Sequence, residues 1–168
     1  AYAVAENVGK NAGHDYDWFI QQMNEECKSL GGKNSNFVNA NGLHDDNHYT
    51  TAYDLYLIFN ECIKHEDFVN IIQSEAYTAY YTDVDGNSQE ALFTPTNLYA
   101  QGEVDVPENV TIVGGKTGTT DEAGYCLILM EKDSSDNPYI SIVMGASEKP
   151  VLYEDMTSLI EAIPSGQQ

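Results

Sequence analysis

In the first half of the chain, apolar residues recur every three or four positions, as they do along one face of an α-helix. One such stripe consists of Phe19, Met23, Cys27 and Leu30. Asp15 or Asp17 could cap the helix that this stripe predicts, and Gly31-Gly32 would stop it. The chain therefore carries an amphipathic helix close to its start.

Other segments of the first half also predict helices. The segment Thr51–Asp54 has the form of a capping box and precedes an apolar stripe that consists of Leu55, Ile58, Phe59 and Cys62. Residues 67–73 predict a shorter helix. The run Ala1–Val8 has the composition of a helix interior, yet no capping residue precedes it. We therefore expect the chain to be a fragment or a processed product of a longer protein.

After residue 75 the pattern changes to short runs of strand length. Tyr77–Tyr81 and Ala91–Thr94 flank the turn signal Asp85-Gly86 and predict a hairpin. Val110–Val113 is rich in β-branched residues. The pattern thus predicts that the first half is helical and that the second half is mainly strand.

The remaining runs complete the predicted order of elements. Tyr125–Met130 and Tyr139–Met144 are apolar and are separated by a polar turn at 132–138, which predicts an antiparallel hairpin. Leu152–Ile163 predicts a final amphipathic helix, with apolar positions at Met156, Leu159, Ile160 and Ile163. Helices followed by strands and a last helix predict an α+β fold in one domain.

Composition narrows the possible functions. The 168 residues include 27 acidic residues and only seven basic ones, all of them lysine, for a formal net charge of -20. Such a charge disfavours binding to nucleic acids and to anionic membranes. No apolar run approaches the roughly 20 residues that span a bilayer.

The cysteines and the histidine-rich loop match no known ligand pattern. Cys27, Cys62 and Cys126 are an odd number at wide spacing, and we expect them to be buried free thiols. His44, Asp45, Asp46 and His48 cluster in one loop, but their spacing fits no metal signature. We expect a polar surface loop in which His48 helps to seat the next helix, with no metal and no cofactor.

The most informative segment is Lys116-Thr117-Gly118-Thr119-Thr120. A phosphate-binding loop would need a glycine five positions before Gly115, and Val110 stands there instead. Nucleotide binding is therefore rejected. Lys-Thr-Gly is also one of three short motifs of the penicillin-recognising serine enzymes.

The residues on both sides of this triplet also match enzymes of this kind. The run from Val113 to Leu127 resembles the corresponding stretch of the D-alanyl-D-alanine carboxypeptidases, the low-molecular-mass penicillin-binding proteins. Further segments resemble the same family in the same order, namely residues 23–25, 30–31, 36–43, 48–55, 144–147 and 153–155. The resemblance covers nearly the whole chain.

This resemblance implies a fold and an activity. The fold would be the C-terminal portion of a penicillin-binding, β-lactamase-like domain, with residues 1–75 mainly helical and residues 76–168 mainly strands plus the final helix. The parent enzyme would remove the terminal D-Ala from peptidoglycan stem peptides through an acyl-enzyme and would bind β-lactams. It would work in the bacterial cell envelope, outside the cytoplasmic membrane.

The resemblance also implies a role for each residue of the motif. Lys116 would place a positive charge near the substrate carboxylate and the catalytic base. Thr117 would offer its hydroxyl to that carboxylate, and Gly118 would let the peptide approach without a Cβ in the way. The backbone N–H of Thr119 would be one of two oxyanion-hole donors.

The departures from the family pattern concern the nucleophile. No serine of this sequence has a lysine three residues later, so the nucleophile and its base are absent and the isolated chain should be inactive. Ser135-Asp136-Asn137 has the literal form of the third motif, but it follows Lys-Thr-Gly, whereas the family places it before. We interpret it as a turn. The family often has an arginine near Leu152, and Lys149 is the cation that this chain offers in its place.

Two other functions and one partner remain open. A non-catalytic module could use the same strand to bind peptidoglycan or a partner protein, and a β-lactamase shares the triplet but fits the regions 41–43 and 50–52 less well. In the complete domain an N-terminal strand would cover the edge of the last strand. A missing N-terminal segment or a second copy of the chain could fill that place.

The clustered tyrosines Tyr77, Tyr80 and Tyr81 allow two interpretations. They could form an aromatic platform for glycan. Cross-strand packing within the predicted hairpin is the favoured interpretation.

Overall fold

The computed structural model describes residues 1–164, which form six helices and two antiparallel sheets. The helices are α1 (Tyr2–Asn11), α2 (Tyr16–Ser29), α3 (Ala52–Cys62), α4 (Glu66–Ile72), α5 (Leu98–Gln101) and α6 (Lys149–Glu161). The strands are β1 (Tyr77–Thr82), β2 (Ser88–Phe93), β3 (Val110–Thr120), β4 (Gly124–Asp133) and β5 (Pro138–Ala146). This order confirms the predicted α+β class.

The limits of α2 follow from the residues that flank it. The Asp15 carboxylate accepts a hydrogen bond from the backbone N–H of Trp18 at 2.9 Å, which satisfies one of the free donors in the first helical turn. Beyond the last turn, Gly31 adopts a φ of +99°, a conformation that glycine reaches without steric cost. Cys27 of the predicted stripe is buried, so this stripe faces the interior.

Asp54 joins α3 to the loop that follows α2. Thr51 caps α3 as predicted, because its hydroxyl accepts a hydrogen bond from the Asp54 N–H at 3.1 Å. The Asp54 carboxylate accepts hydrogen bonds from the Ser35 hydroxyl at 2.7 Å and the Asn34 N–H at 2.8 Å. These bonds, that of Ser35 foremost, hold the pKa of Asp54 below its ordinary value, although burial opposes them. An ionised, 1% exposed carboxylate thus fixes residues 33–35 against α3.

The larger sheet has the order β3-β4-β5, and α6 packs on one of its faces. Leu127 and Leu129 of β4 are buried beneath Met156 and Ile160 of α6. The rest of this core consists of Tyr99, Val110, Ala146, Leu152, Tyr153 and Ile163. Leu159, which was also expected on the apolar side of α6, is 45% exposed. The buried positions in this part of the chain are Leu152, Tyr153, Met156, Ile160 and Ile163, and Leu159 lies at the edge of the face that they form.

The β1–β2 turn and the β4–β5 turn have the same hydrogen-bond arrangement. In each, an aspartate carboxylate accepts hydrogen bonds from the backbone N–H groups two and four residues later. These aspartates are Asp83 and Asp133. The residue three positions after each aspartate has a positive φ, +85° at Gly86 and +64° at Asp136. Ser135-Asp136-Asn137 therefore lies in a tight turn.

Several details differ from the sequence prediction. The short helix α5 was not predicted, and α6 begins at Lys149 rather than at Leu152 because Pro150 fits the first turn of a helix. Among the three cysteines only Cys27 is fully buried; Cys62 and Cys126 are half-buried. All three are free thiols.

Within residues 1–164, no helix combines the length and the apolar character that crossing a bilayer requires.

Candidate active site

Strand β3 carries the four predicted site residues at an edge of the sheet. No other strand formed by residues 1–164 pairs with its outer side. Lys116, Gly118 and Thr119 are exposed, and Thr117 is half-buried. Because side chains alternate along a strand, Lys116 and Gly118 share one face of the sheet, and Thr117 and Thr119 share the other.

Three glycines of this strand have different surroundings. A Cβ on Gly114 would lie 2.2 Å from the backbone oxygen of Ile72, and one on Gly115 would lie 2.1 Å from that of Ile128. These two glycines therefore allow β3 to pass close to the end of α4 and to β4. Around Gly118, no described atom lies within 4 Å of the corresponding Cβ position. The space above Gly118 is open to a ligand.

The ammonium group of Lys116 is available to bind an anion. It donates a hydrogen bond to the backbone oxygen of Thr117, and it forms no ion pair with a carboxylate of the described residues. Its side chain is exposed at the strand edge. A lysine ammonium is a compact point charge with three donors, so this position suits a ligand carboxylate.

The segment between β2 and α5 borders the motif on one side. The hydroxyl oxygens of Thr96 and Thr117 are hydrogen-bonded at 2.5 Å. The Gln101 amide donates to the backbone oxygen of Pro95 at 2.6 Å, which holds this segment in place. Thr96 was not predicted as a site residue, because no local motif signals a contact between threonines 21 residues apart.

The loop that precedes α3 borders the far end of the strand. The His44 ring lies 3.9 Å from the Glu122 carboxylate in the β3–β4 turn and 3.5 Å from that of Asp46. The loop is held to α2 by Asn24, whose amide exchanges two hydrogen bonds with the backbone of Phe37 at 2.7 and 2.8 Å. The motif therefore lies between two anchored loops.

The histidines of this loop serve structure. His48 accepts a hydrogen bond from the Val38 N–H through Nδ1 at 3.1 Å and packs edge-on against Phe37. Burial lowers the pKa of His48, while Asp45 raises it in part, so the ring is neutral and available as an acceptor. Across residues 1–164, no three metal-ligating side chains are grouped so as to hold an ion.

A cavity of ≈ 410 Å³ lies behind the first half of β3. Its walls are the end of α4, residues 99–100 of α5 and the strand from Val110 to Gly114. The cavity stops short of Lys116, so the four site residues lie on an open strand edge. Within these 168 residues, that edge can hold an anion and offer backbone donors, but no Ser-x-x-Lys pair accompanies it.

Comparison with known proteins gives one consistent family. A family model described as D-alanyl-D-alanine carboxypeptidase matches residues 1–148. The chain is 29% identical to the D-alanyl-D-alanine carboxypeptidase DacF of Bacillus subtilis over 143 residues, which are 85% of this chain and 34% of that protein. It is 27% identical to the D-alanyl-D-alanine carboxypeptidase of Streptomyces sp. strain K15 over 162 residues, 95% of this chain and 54% of that protein.

Solved structures agree with the sequence comparisons. A mutant of the Streptomyces K15 DD-transpeptidase superposes with a TM-score of 0.81 at 25% identity, covering 95% of this chain and 60% of that one. Penicillin-binding protein 5 from Haemophilus influenzae shares the fold, with a TM-score of 0.73. The chain thus spans between about a third and about a half of the length of these curated relatives.

Proposed function

The chain belongs to the D-alanyl-D-alanine carboxypeptidase family, and from this premise we propose that it forms the C-terminal portion of one transpeptidase-like catalytic domain. In that domain, residues 1–75 supply the helical part, and residues 76–168 supply the sheet and the final helix. The complete enzyme hydrolyses the terminal D-Ala of peptidoglycan stem peptides in the bacterial cell envelope. The observation that carries this proposal is the exposed Lys-Thr-Gly strand edge with open space over Gly118.

Each residue of the edge has a separate task in this mechanism. The Lys116 ammonium and the Thr117 hydroxyl bind the carboxylate of the leaving D-Ala. Gly118 allows the substrate backbone to lie against the strand, because no side chain occupies that space. The N–H of Thr119 donates to the oxyanion that forms when the serine attacks; loss of one such donor typically slows catalysis about 10²–10³-fold.

The contact between Thr96 and Thr117 adds a positioning residue to this site. Their hydrogen bond fixes the Thr117 hydroxyl on the side of the strand that faces the 94–97 segment. A fixed hydroxyl loses less side-chain entropy when it binds a carboxylate. Thr96 thus orients a binding group without touching the reacting atoms.

Acylation by penicillin tests the assignment of roles. The serine nucleophile and its base are absent from these 168 residues, so we expect no covalent label when the isolated chain is incubated with a fluorescent penicillin. A complete family member, treated in parallel, should be labelled. Intact-mass spectrometry is the readout, and a mass increase of one penicillin on the 168-residue chain would refute the proposal.

The free edge of β5 needs a partner in the complete enzyme. Among residues 1–164, β5 pairs only with β4, which leaves a row of N–H and C=O groups available for pairing. An N-terminal segment outside the 168 residues fills this place in the parent protein. Without that segment, a second copy of the chain pairs there.

Self-association of the isolated chain follows from this open edge. We expect sedimentation velocity to show a dimer or larger species. A charge on the edge should weaken pairing, so Met144→Lys, at a 38% exposed position of β5, should shift the distribution toward the monomer. A stable wild-type monomer at high protein concentration would contradict the proposal.

A non-catalytic peptidoglycan- or partner-binding module is the second candidate. It is favoured by one observation, the presence of the binding strand without a Ser-x-x-Lys pair. The coding sequence upstream of Ala1 decides between the two. A Ser-x-x-Lys there supports the enzyme, and an upstream region without one supports the module.

A further inference from the structure

The β1–β2 hairpin carries a row of exposed aromatic side chains that the carboxylate site does not use. Tyr77 and Phe93 lie directly opposite each other and are 67% and 59% exposed, and Tyr81 on the same face is 53% exposed. Within residues 1–164, none of these rings stacks on another aromatic ring. Cross-strand packing, the favoured interpretation of these tyrosines, therefore leaves most of their surface free.

Along this face, small side chains lie between large aromatic ones, and we call the shallow depression that this order predicts the trough. Ala79 and Ala91 pair at its centre, between the Tyr77–Phe93 pair at one end and Tyr81 at the other. The two tyrosines are four positions apart, a distance of about 13 Å along a strand. Small side chains between large flat ones leave room for an extended ligand of several rings.

The near end of the trough is close in the chain to the carboxylate site. Phe93, at its near end, is three residues before Thr96, which is hydrogen-bonded to Thr117. Three residues reach at most about 11 Å, and a stem peptide of about five residues reaches roughly 17 Å when extended. The sugar to which a bound stem is attached therefore falls within reach of the trough.

The charge of this region restricts the class of ligand. Residues 65–115 contain nine acidic residues and no lysine or arginine, which disfavours an anionic lipid surface or nucleic acid. Tyrosine combines an apolar ring with a hydroxyl and suits ligands that have both characters. A neutral sugar chain has apolar C–H faces and hydroxyl edges, and it meets both conditions.

We propose that Tyr77, Phe93 and Tyr81 form a platform that binds the glycan strand of peptidoglycan beside the stem peptide. This inference rests on the proposed function, because the stem is what brings the glycan to the hairpin. The platform adds affinity for polymeric wall material over free stem peptide. Its contacts are separate from those of Lys116.

Binding of the 168-residue chain to an uncharged glycan tests the platform. The probe is insoluble chitin, a neutral polymer of N-acetylglucosamine, because removing the stems from peptidoglycan with an amidase would leave a carboxylate on each muramic acid. Binding is measured by co-sedimentation. We expect Tyr77→Ala with Phe93→Ala to weaken binding by about tenfold. Tyr80→Ala with Leu92→Ala removes exposed groups from the opposite face of the same hairpin and should leave binding unchanged. Tyr81→Ala alone is a milder variant, expected to weaken binding severalfold.

The outcomes separate this inference from the proposed function. Lys116→Ala should abolish binding of a D-Ala-D-Ala peptide while glycan binding persists, so each site can fail without the other. Equal effects of the two double variants would overturn the platform, and so would absence of glycan binding. If the aromatic variants instead change only self-association or capture of a basic protein, the platform is likewise refuted. Far-UV circular dichroism verifies that each variant is folded.

Discussion

Replacing Glu131 with glutamine is expected to remove a dependence of stability on pH that amounts to about 4 kcal/mol between pH 4 and pH 8. The Glu131 side chain is 0% exposed on β4, and neither carboxylate oxygen has a hydrogen-bond partner among the described residues. Burial raises the pKa of Glu131 from 4.5 to about 8, with the neighbouring Ser141 opposing the shift in part.

The sign of the effect follows from proton uptake. At pH 7 the folded protein holds a proton on Glu131, whereas the unfolded chain, with a pKa near 4.5, has released it. The contribution of this group to stability is thus full below pH 4.5 and is lost progressively as the pH rises to 8. Glutamine stays neutral at every pH. The free energy of unfolding of Glu131→Gln, relative to that of wild type, should therefore be about 3 kcal/mol higher at pH 7 than at pH 4.

Urea unfolding at several pH values measures this difference. Asp133, two residues later on β4, is the matched control, because hydrogen bonds from Asn137 foremost lower the pKa of its carboxyl. Asp133→Asn should therefore destabilise the protein at neutral pH. This destabilisation should become smaller as the pH falls through the pKa of the Asp133 carboxyl in the folded protein. A difference between Glu131→Gln and wild type that is constant from pH 4 to pH 8 would contradict a buried neutral carboxyl.

Gly115→Ala is expected to destabilise the protein by about 3 kcal/mol or more. The added Cβ would lie 2.1 Å from the backbone oxygen of Ile128 and 2.7 Å from Cδ2 of Leu129. A backbone oxygen in a paired strand cannot rotate away, so β3 and β4 would have to separate. Thermal unfolding should show a lower Tm.

Gly118→Ala is the matched control on the same strand. Its Cβ meets no described atom within 4 Å, so stability should change by less than about 0.5 kcal/mol. Equal destabilisation by the two alanines would mean that β3 does not approach the backbone of Ile128 so closely at Gly115.

Local rules predicted those parts of the fold that neighbouring residues determine. Asp15 and Gly31 mark the ends of α2 in the sequence and in the structure, because caps and positive φ values act over a few residues. The Lys-Thr-Gly strand was identified by its resemblance to a family, which carries information that periodicity lacks.

Contacts between distant segments were not predictable. The capping-box form of Thr51–Asp54 predicts a local role for Asp54, whereas its carboxylate binds Ser35, 19 residues earlier. Glu131 lies just outside the apolar run that predicted β4, and its complete burial depends on tertiary packing against the sheet. The contact between Thr96 and Thr117 was not predictable either, because only tertiary packing brings the two hydroxyls together.

We propose above all that residues 116–119 hold the carboxylate end of a D-Ala-D-Ala peptide. The most direct test is a titration of the ¹⁵N-labelled chain with an N-acylated D-Ala-D-Ala peptide, followed by amide chemical shifts in NMR spectra. We expect the amide chemical shifts of Lys116–Thr119 to move, and the same peptide with a C-terminal amide to move them far less. In Lys116→Gln the responses to the two peptides should become equal. Shifts confined to other regions, or an equal response to both peptides, would contradict it.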